Sequence, residues 1–402
     1  MLNQERKNQF SGILGYIAES LDISEACFKE AEERYQAVGK WLERDDSIVE
    51  EYSPAIYTQG SFRLGTVIKP ITDEEKYDID LVCELNLTKK QVRQKLLKDL
   101  VGIEIKSYAR ANNMKHPAEE ARRCWTLNYA DGTQYHMDIL PCIPDSEAFK
   151  LILKSWEIPG SISDHAIAIT DNTLPNYDYL DEDWLRSNPK GYVEWFKERM
   201  KIQFEVRRMI LAKSISAKAE DVPDYKVKTT LQRAVQILKR HRDIMFEHNP
   251  DDKPISMIIT TLAAHAYNNE ADLFDALSSI IDGMPNYILE EGGNAWIPNP
   301  VNPDENFADK WKENPKKELN FRKWLVQVEK DLVSAFNKIG IYKVADRLKP
   351  VFGDRAVNEA MKRMGDDFRT KRESGLLSMA AGTGVLGNMG TTSVRDHTFY
   401  GE

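Results

Sequence analysis

The chain has 402 residues, enough for two domains with sizeable cores. Its 55 Lys and Arg against 64 Asp and Glu leave a formal net charge of −9, which argues against a protein that coats duplex nucleic acid through a broad basic surface. Any anionic ligand must be met in a pocket, and no stable duplex DNA binding is expected. The cysteines Cys27, Cys83, Cys124 and Cys142 lack metal-ligand spacing and read as reduced thiols. No stretch of roughly 18 apolar residues is present, and Met1 to Phe10 is polar where a signal peptide needs an apolar core. The reading is a cytoplasmic chain with no membrane partner.

In chain order, apolar residues at helical spacing, Ile13, Tyr16, Ile17 and Leu21, then Phe28, Ala31 and Tyr35, predict two amphipathic helices. From Ala55 to about Ile143 the pattern turns to β-rich runs, Tyr77 to Leu85, Cys124 to Tyr129 and Tyr135 to Ile143, with a helix-like segment from Lys89 to Leu100. This order predicts an α+β sheet domain with helices on one face. Asp131-Gly132 marks the turn of a hairpin whose second strand carries Asp138. Pro144 to Pro189, dense in Asp, Asn, Ser and Pro, reads as a long excursion over the sheet.

From Gly191 the pattern is helical as far as Arg372: Tyr192 to Lys213, Val227 to Glu247, Pro254 to Asn268, Leu273 to Ile281, Arg322 to Ile339 and Asp354 to Arg372, with residues 284 to 320 as a loop. After Glu373 a Gly-, Ala- and Ser-rich stretch reads as a flexible tail ending in Asp396 to Glu402, suited to docking or plain disorder. The expected domains are residues 1–190, a catalytic sheet domain with N-terminal helices; 191–373, a helical domain; and 374–402, the tail.

Asp78 and Asp80 stand at i and i+2 of a strand and share a face, with Ile79, Leu81 and Cys83 turned to a core. A lone Asp-x-Asp is more often plain surface. Asp138, in the apolar strand His136 to Leu140, adds a third carboxylate. Two such charges about 4 Å apart repel by roughly 4 kcal/mol at an effective dielectric of about 20, so a cluster calls for cations. Mg²⁺ suits carboxylates and phosphates. Gln59-Gly60-Ser61 precedes the pair at a turn and helix start whose N–H groups and hydroxyl can cradle a triphosphate. Lys239 and Ser256 are further phosphate partners on the helical half, against the alternative of a solvated charge run and a helix-start serine. Arg63 and Lys69 have less support. Tyr57, Tyr192 and Trp156 suit base stacking or the core equally.

Gly60-Ser61, Asp78-x-Asp80 and then Asp138 in a following strand resemble the nucleotidyltransferase signature of the DNA polymerase beta superfamily. Within it, Gln59 to Phe62, Ser187 to Phe196 and the helical half resemble the oligoadenylate synthases and the bacterial cGAS/DncV-like enzymes (CD-NTases) of CBASS anti-phage signalling. The resemblance implies a Mg-dependent nucleotidyltransferase making a cyclic di- or trinucleotide from nucleoside triphosphates, ATP first and GTP second. Asp78, Asp80 and Asp138 would be catalytic and metal-binding, holding two Mg²⁺ ions with Mn²⁺ as a substitute, and Gln59, Gly60, Ser61, Lys239 and Ser256 nucleotide-binding. It also implies an operon-encoded regulator or a ubiquitin-like transferase acting on the tail, although Glu402 follows the penultimate Gly401. An RNA 3′ tailing enzyme and an inert nucleotide-binding module are the alternatives.

Overall fold

A computed structural model describes residues 4–72, 77–129, 135–145, 147–216, 218–381, 384–387 and 390–394. The expected turn at Asp131-Gly132 and the docking peptide from Asp396 lie outside the described residues. Two compact units divide the chain: Ile23–Glu198 with Pro298–Asn306, and Met1–Asp22 with Arg199–Ile297 and Phe307–Glu402. The division departs from the expected boundary at residue 190, and the first helix, α1 (Gln4–Ser20), belongs to the helical unit. Its Phe10 meets Phe274 and Phe336 edge-on at 5.4 and 5.1 Å between ring centroids, and Ile13, Leu14 and Ile17 are buried.

In the sheet unit, α2 (Glu25–Leu42) starts where Ser24 accepts the Cys27 N–H. There follow β1 (Ala55–Thr58), α3 (Gly60–Leu64), β2 (Tyr77–Glu84), α4 (Gln94–Ala111), β3 (Glu119–Glu120), β4 (Trp125–Tyr129) and β5 (Tyr135–Pro144). Next come α5 (Glu147–Ser155), α6 (Gly160–Ser163), β6 (Ile167–Ile169), β7 (Leu185–Ser187) and α7 (Pro189–Ser214), within which the division between units falls. The sheet runs β1-β2-β5-β4-β3, with β6 on β5 and β7 on β6. β2 lies parallel to β5, whereas β1, β4 and β6 run antiparallel to their partners.

Strand alternation decides what faces the core. Ile79, Leu81 and Cys83 of β2 are buried with Met137 and Ile139 of β5, Leu97, Val101 and Ile105 of α4, and Val38 and Leu42 of α2. Each such fully buried aliphatic side chain contributes about 2 kcal/mol. The helix expected from Lys89 begins at Gln94 instead, because Thr88 closes a turn onto Gln91 through its N–H and its hydroxyl. It runs on to Ala111, and Gly102 within it lets the Trp125 ring approach to where a Cβ would stand 2.3 Å away.

Residues 144 to 189 are not a plain excursion. They add two helices and the strands β6 and β7, and Ile167, Ala168 and Ile169 are all buried. Composition hid a three-residue apolar strand among aspartates. Asp145, also buried, holds Lys89 Nζ at 2.7 Å and Arg186 Nε at 3.2 Å.

The helical unit contains α8 (Thr230–Met245), α9 (Ser256–Ala266), α10 (Leu273–Gly283), α11 (Asp309–Glu313), α12 (Pro315–Phe336), α13 (Ile341–Phe352) and α14 (Asp354–Glu373). α8 begins at a capping box between Thr229 and Gln232 and is packed by α1, α9, α10, α12 and α13. Leu231, Val235 and Leu238 are buried as expected, but Met245, in the last turn, is 41 % exposed. α13 went unread because Pro350 stands inside it and masks the buried row Val344, Leu348 and Val351. α12 starts at Pro315, after an Asn314 cap, not at Arg322.

The described part of the glycine-rich stretch carries three two-residue strands, Ser378–Met379 paired with both Leu386–Gly387 and Thr392–Ser393. Ser378 Oγ donates to the Gly387 carbonyl at 3.1 Å and accepts the Gly390 N–H at 2.7 Å. Gly390 lies so close to Met379 that a Cβ would stand 2.3 Å from its carbonyl carbon. Gly390 therefore serves close backbone approach. No described helix is long and apolar enough to cross a membrane.

Candidate active site

Alternation along β2 puts Asp78, Asp80, Val82 and Glu84 on the face opposite the core. The parallel register with β5 sets Asp78 beside His136 and Asp80 beside Asp138. Register partners in a sheet point the same way, so the three predicted aspartates come to one sheet face. Asp78 is exposed, and Asp80 and Asp138 are half-buried. On the other side of β5, β4 sets Thr126 opposite Asp138, and the Thr126 hydroxyl donates to Asp138 Oδ1 at 2.5 Å.

The Gln59-Gly60-Ser61 turn abuts this face. The Gln59 N–H donates to the Asp80 carbonyl at 2.8 Å, and Gly60 opens α3 at φ +62°, a conformation that suits glycine. A Cβ on Gly60 would stand 2.3 Å from Asp80 Oδ2, so a side chain is excluded by space as well as by conformation. Phe62 anchors α3 by stacking on Phe28 of α2 at 4.6 Å. Ser61, half-buried, follows directly on Gly60.

Glu84, farther along the acid face, is structural. It accepts the Tyr57 hydroxyl at 2.9 Å and lies 3.4 Å from Lys190 Nζ, which sits 3.9 Å from the Tyr57 ring centroid. Burial pushes the Tyr57 phenol far above its ordinary range. Tyr192 is buried too, 5.2 Å from Trp195, while Trp156 is exposed. Burial first, then the charge of Asp138, pushes the half-buried Cys124 thiol up to about 11.

Lys239 and Ser256 stand in the helical unit, on α8 and at the first residue of α9. Lys239 is buried, as are Arg240, His241 and Arg242, so the solvated charge run is overturned by the helices packed around α8. Ser256 Oγ accepts from Arg242 Nη1 at 2.8 Å, and the same nitrogen donates to the Pro254 carbonyl. The sheet unit thus gathers Gln59, Gly60, Ser61, Asp78, Asp80 and Asp138, and the helical unit holds Lys239 and Ser256. Thr126, His136 and Arg242 were passed over as site neighbours. Pairing Tyr129 with Tyr135 and counting back would have found Thr126.

The family model described as cyclic GMP-AMP synthase DncV-like, nucleotidyltransferase domain, matches residues 54–141, a span that includes β1, the Gly60-Ser61 turn and all three aspartates. A c-di-GMP synthase of Roseivirga ehrenbergii is 30% identical over 408 residues, with 100% of each chain covered. The chain belongs to the DncV-like nucleotidyltransferases. The cyclic dinucleotide synthase CdnG of Bradyrhizobium diazoefficiens is 25% identical to this DncV-like nucleotidyltransferase over 97% of this chain and 94% of its own. The structure of CdnG in complex with GTP superposes with a TM-score of 0.67 at 23% identity, covering 89% of this chain and 99% of that one, and shows the shared fold.

Proposed function

We propose that this DncV-like nucleotidyltransferase joins nucleoside triphosphates into a cyclic dinucleotide, with GTP first among its substrates. The observation that carries the chemistry is the register that sets Asp80 beside Asp138, next to a glycine turn that excludes any side chain. The preference for guanine rests on the full-length likeness to a c-di-GMP synthase and on the GTP complex of CdnG, and moves the expectation from ATP to GTP. A role in phage-defence signalling, and a regulator or transferase acting on the tail, rest on the family resemblance alone.

Three carboxylates on one face present oxygen donors only, which suits hard divalent cations. Among the described residues, no three His, Cys, Asp or Glu side chains already close on one point, so the fit is one of register and donor chemistry. Asp78, Asp80 and Asp138 would hold two Mg²⁺ ions, whose charge favours the in-line displacement when bound. Gly60 and Ser61 hold the donor triphosphate by main-chain N–H and hydroxyl, and the family resemblance assigns Lys239 and Ser256 to nucleotide binding. Asp138 orients the attacking ribose hydroxyl and takes its proton at a carboxylate oxygen. The O–Pα bond forms as the bond to pyrophosphate breaks, and a second turn of the same reaction closes the ring.

Incubating the purified chain with the four ribonucleoside triphosphates and Mg²⁺ or Mn²⁺, with mass spectrometry of the products, tests the reading. A cyclic dinucleotide absent from the Asp78→Ala, Asp80→Ala double variant supports it. Extension of added RNA without a cyclic product sinks it in favour of a tailing enzyme.

A further inference from the structure

We propose that Thr126 is a positioning residue for the nucleotidyl transfer: its hydroxyl, donated to Asp138 Oδ1, fixes that carboxylate so that Oδ2 is the oxygen offered to the ribose hydroxyl. The inference rests on the proposed role of Asp138. Its geometry comes from the sheet, because the β4–β5 register sets the two residues directly opposite each other and the contact is 2.5 Å. A hydroxyl bonded to an ionised carboxylate at that length is a charge-assisted bond, about twice as strong as a neutral one. Thr126 is also hard to displace. Its neighbours Trp125 and Leu127 are 2 % and 0 % exposed, and a β-branched residue has few χ1 choices.

The hydroxyl carries one proton, and an ionised carboxylate can only accept. That proton is therefore committed to Asp138. Without the hydroxyl, Asp138 turns about χ2, whose torsional well is broad, and its reactive oxygen is no longer held. Valine keeps the shape and β-branching of threonine and removes only the hydroxyl, whereas serine keeps the hydroxyl.

Thr126→Val and Thr126→Ser are compared with the unaltered full chain for kcat and KM with GTP. Mn²⁺ binding by electron paramagnetic resonance, which needs no turnover, and melting temperature complete the set. Thr126→Val should lose about 10- to 100-fold in kcat and in Mn²⁺ affinity, the usual range for an outer hydrogen-bond partner of a ligand. KM for GTP should stay within about twofold, and Thr126→Ser should recover most of the loss. Wild-type kcat and Mn²⁺ affinity in Thr126→Val, or equal impairment in Thr126→Ser, overturns the proposal. Asp138→Asn separates the two layers. If it stays active, the role of Asp138 falls and this inference with it; if it is inactive while Thr126→Val is normal, only the inference falls.

Discussion

The acid face of the sheet and the centre of α8 both place charged side chains among apolar neighbours, with opposite outcomes. On β2, alternation sends Asp78 and Asp80 to one side and Ile79 and Leu81 to the other, so the acids keep access to solvent while the strand keeps its core. On α8, which α1, α9, α10, α12 and α13 pack against, Lys239, Arg240, His241 and Arg242 are buried together with Leu231 and Leu238. Arg242 pairs with Asp243 at 2.6 Å, and His241 meets a carboxylate from α12. Asp331, itself buried, accepts from His241 at 3.3 Å, Gln327 at 2.9 Å and Arg347 at 2.6 Å. Burial works against its carboxylate, yet the His241 and Gln327 bonds hold it down to about 2. The same residue classes thus supply chemistry at one place and cohesion at the other.

The contrast breaks first at Asp80. Asp80→Asn should cut product formation by more than about a thousandfold, some 4 kcal/mol of barrier, with a melting temperature close to that of the unaltered chain. Asp331→Ala should do the reverse. Leaving His241 and Arg347 without their carboxylate costs about 3 kcal/mol of stability, read as a lower urea midpoint, while protein still folded keeps most of its turnover. If Asp331→Ala silences folded protein as Asp80→Asn does, the division of roles is mistaken.

A smaller effect concerns acid. Burial first, then Arg199, holds the His265 imidazole down to about 4 from 6.5. Between those values the unfolded chain binds a proton that the folded chain does not. Stability should therefore be insensitive to this group above about pH 6.5 and fall as the pH drops from there toward 4. Melting curves of His265→Gln should show a shallower fall over that window. The smallest change belongs to Met245: at 41 % exposure, Met245→Lys should stay within about 0.5 kcal/mol of wild-type stability, whereas a buried-stripe methionine would lose several times that.

The acid face was legible because strand alternation is a local rule: Tyr77 to Val82 shows its two sides within six letters. The α1 and α2 helices were legible for the same reason. What escaped depends on distant partners. Nothing near Lys239 announces that α8 is packed by five helices and that Lys239 is buried, and no local pattern ties Ser256 to Arg242. β6 is only three residues long and lies in an Asp-rich stretch, and α13 carries a proline that reads as a stop. Thr126 is an intermediate case, recoverable once the hairpin pairing of Tyr129 with Tyr135 is drawn.

The parallel junction of β2 and β5 has a consequence for how the gene tolerates change. Asp80 and Asp138 are neighbours only because eight consecutive residue pairs, Tyr77 with Tyr135 through Glu84 with Cys142, stay in step. Side chains alternate every residue, so a one-residue slip of β5 offers Met137 or Ile139 to the acid face and sends Asp138 toward the core. Insertion scanning should therefore find single-codon gains within either strand as damaging as loss of an aspartate, while a swap of the half-buried Leu140 for Ile or Met is tolerated far better.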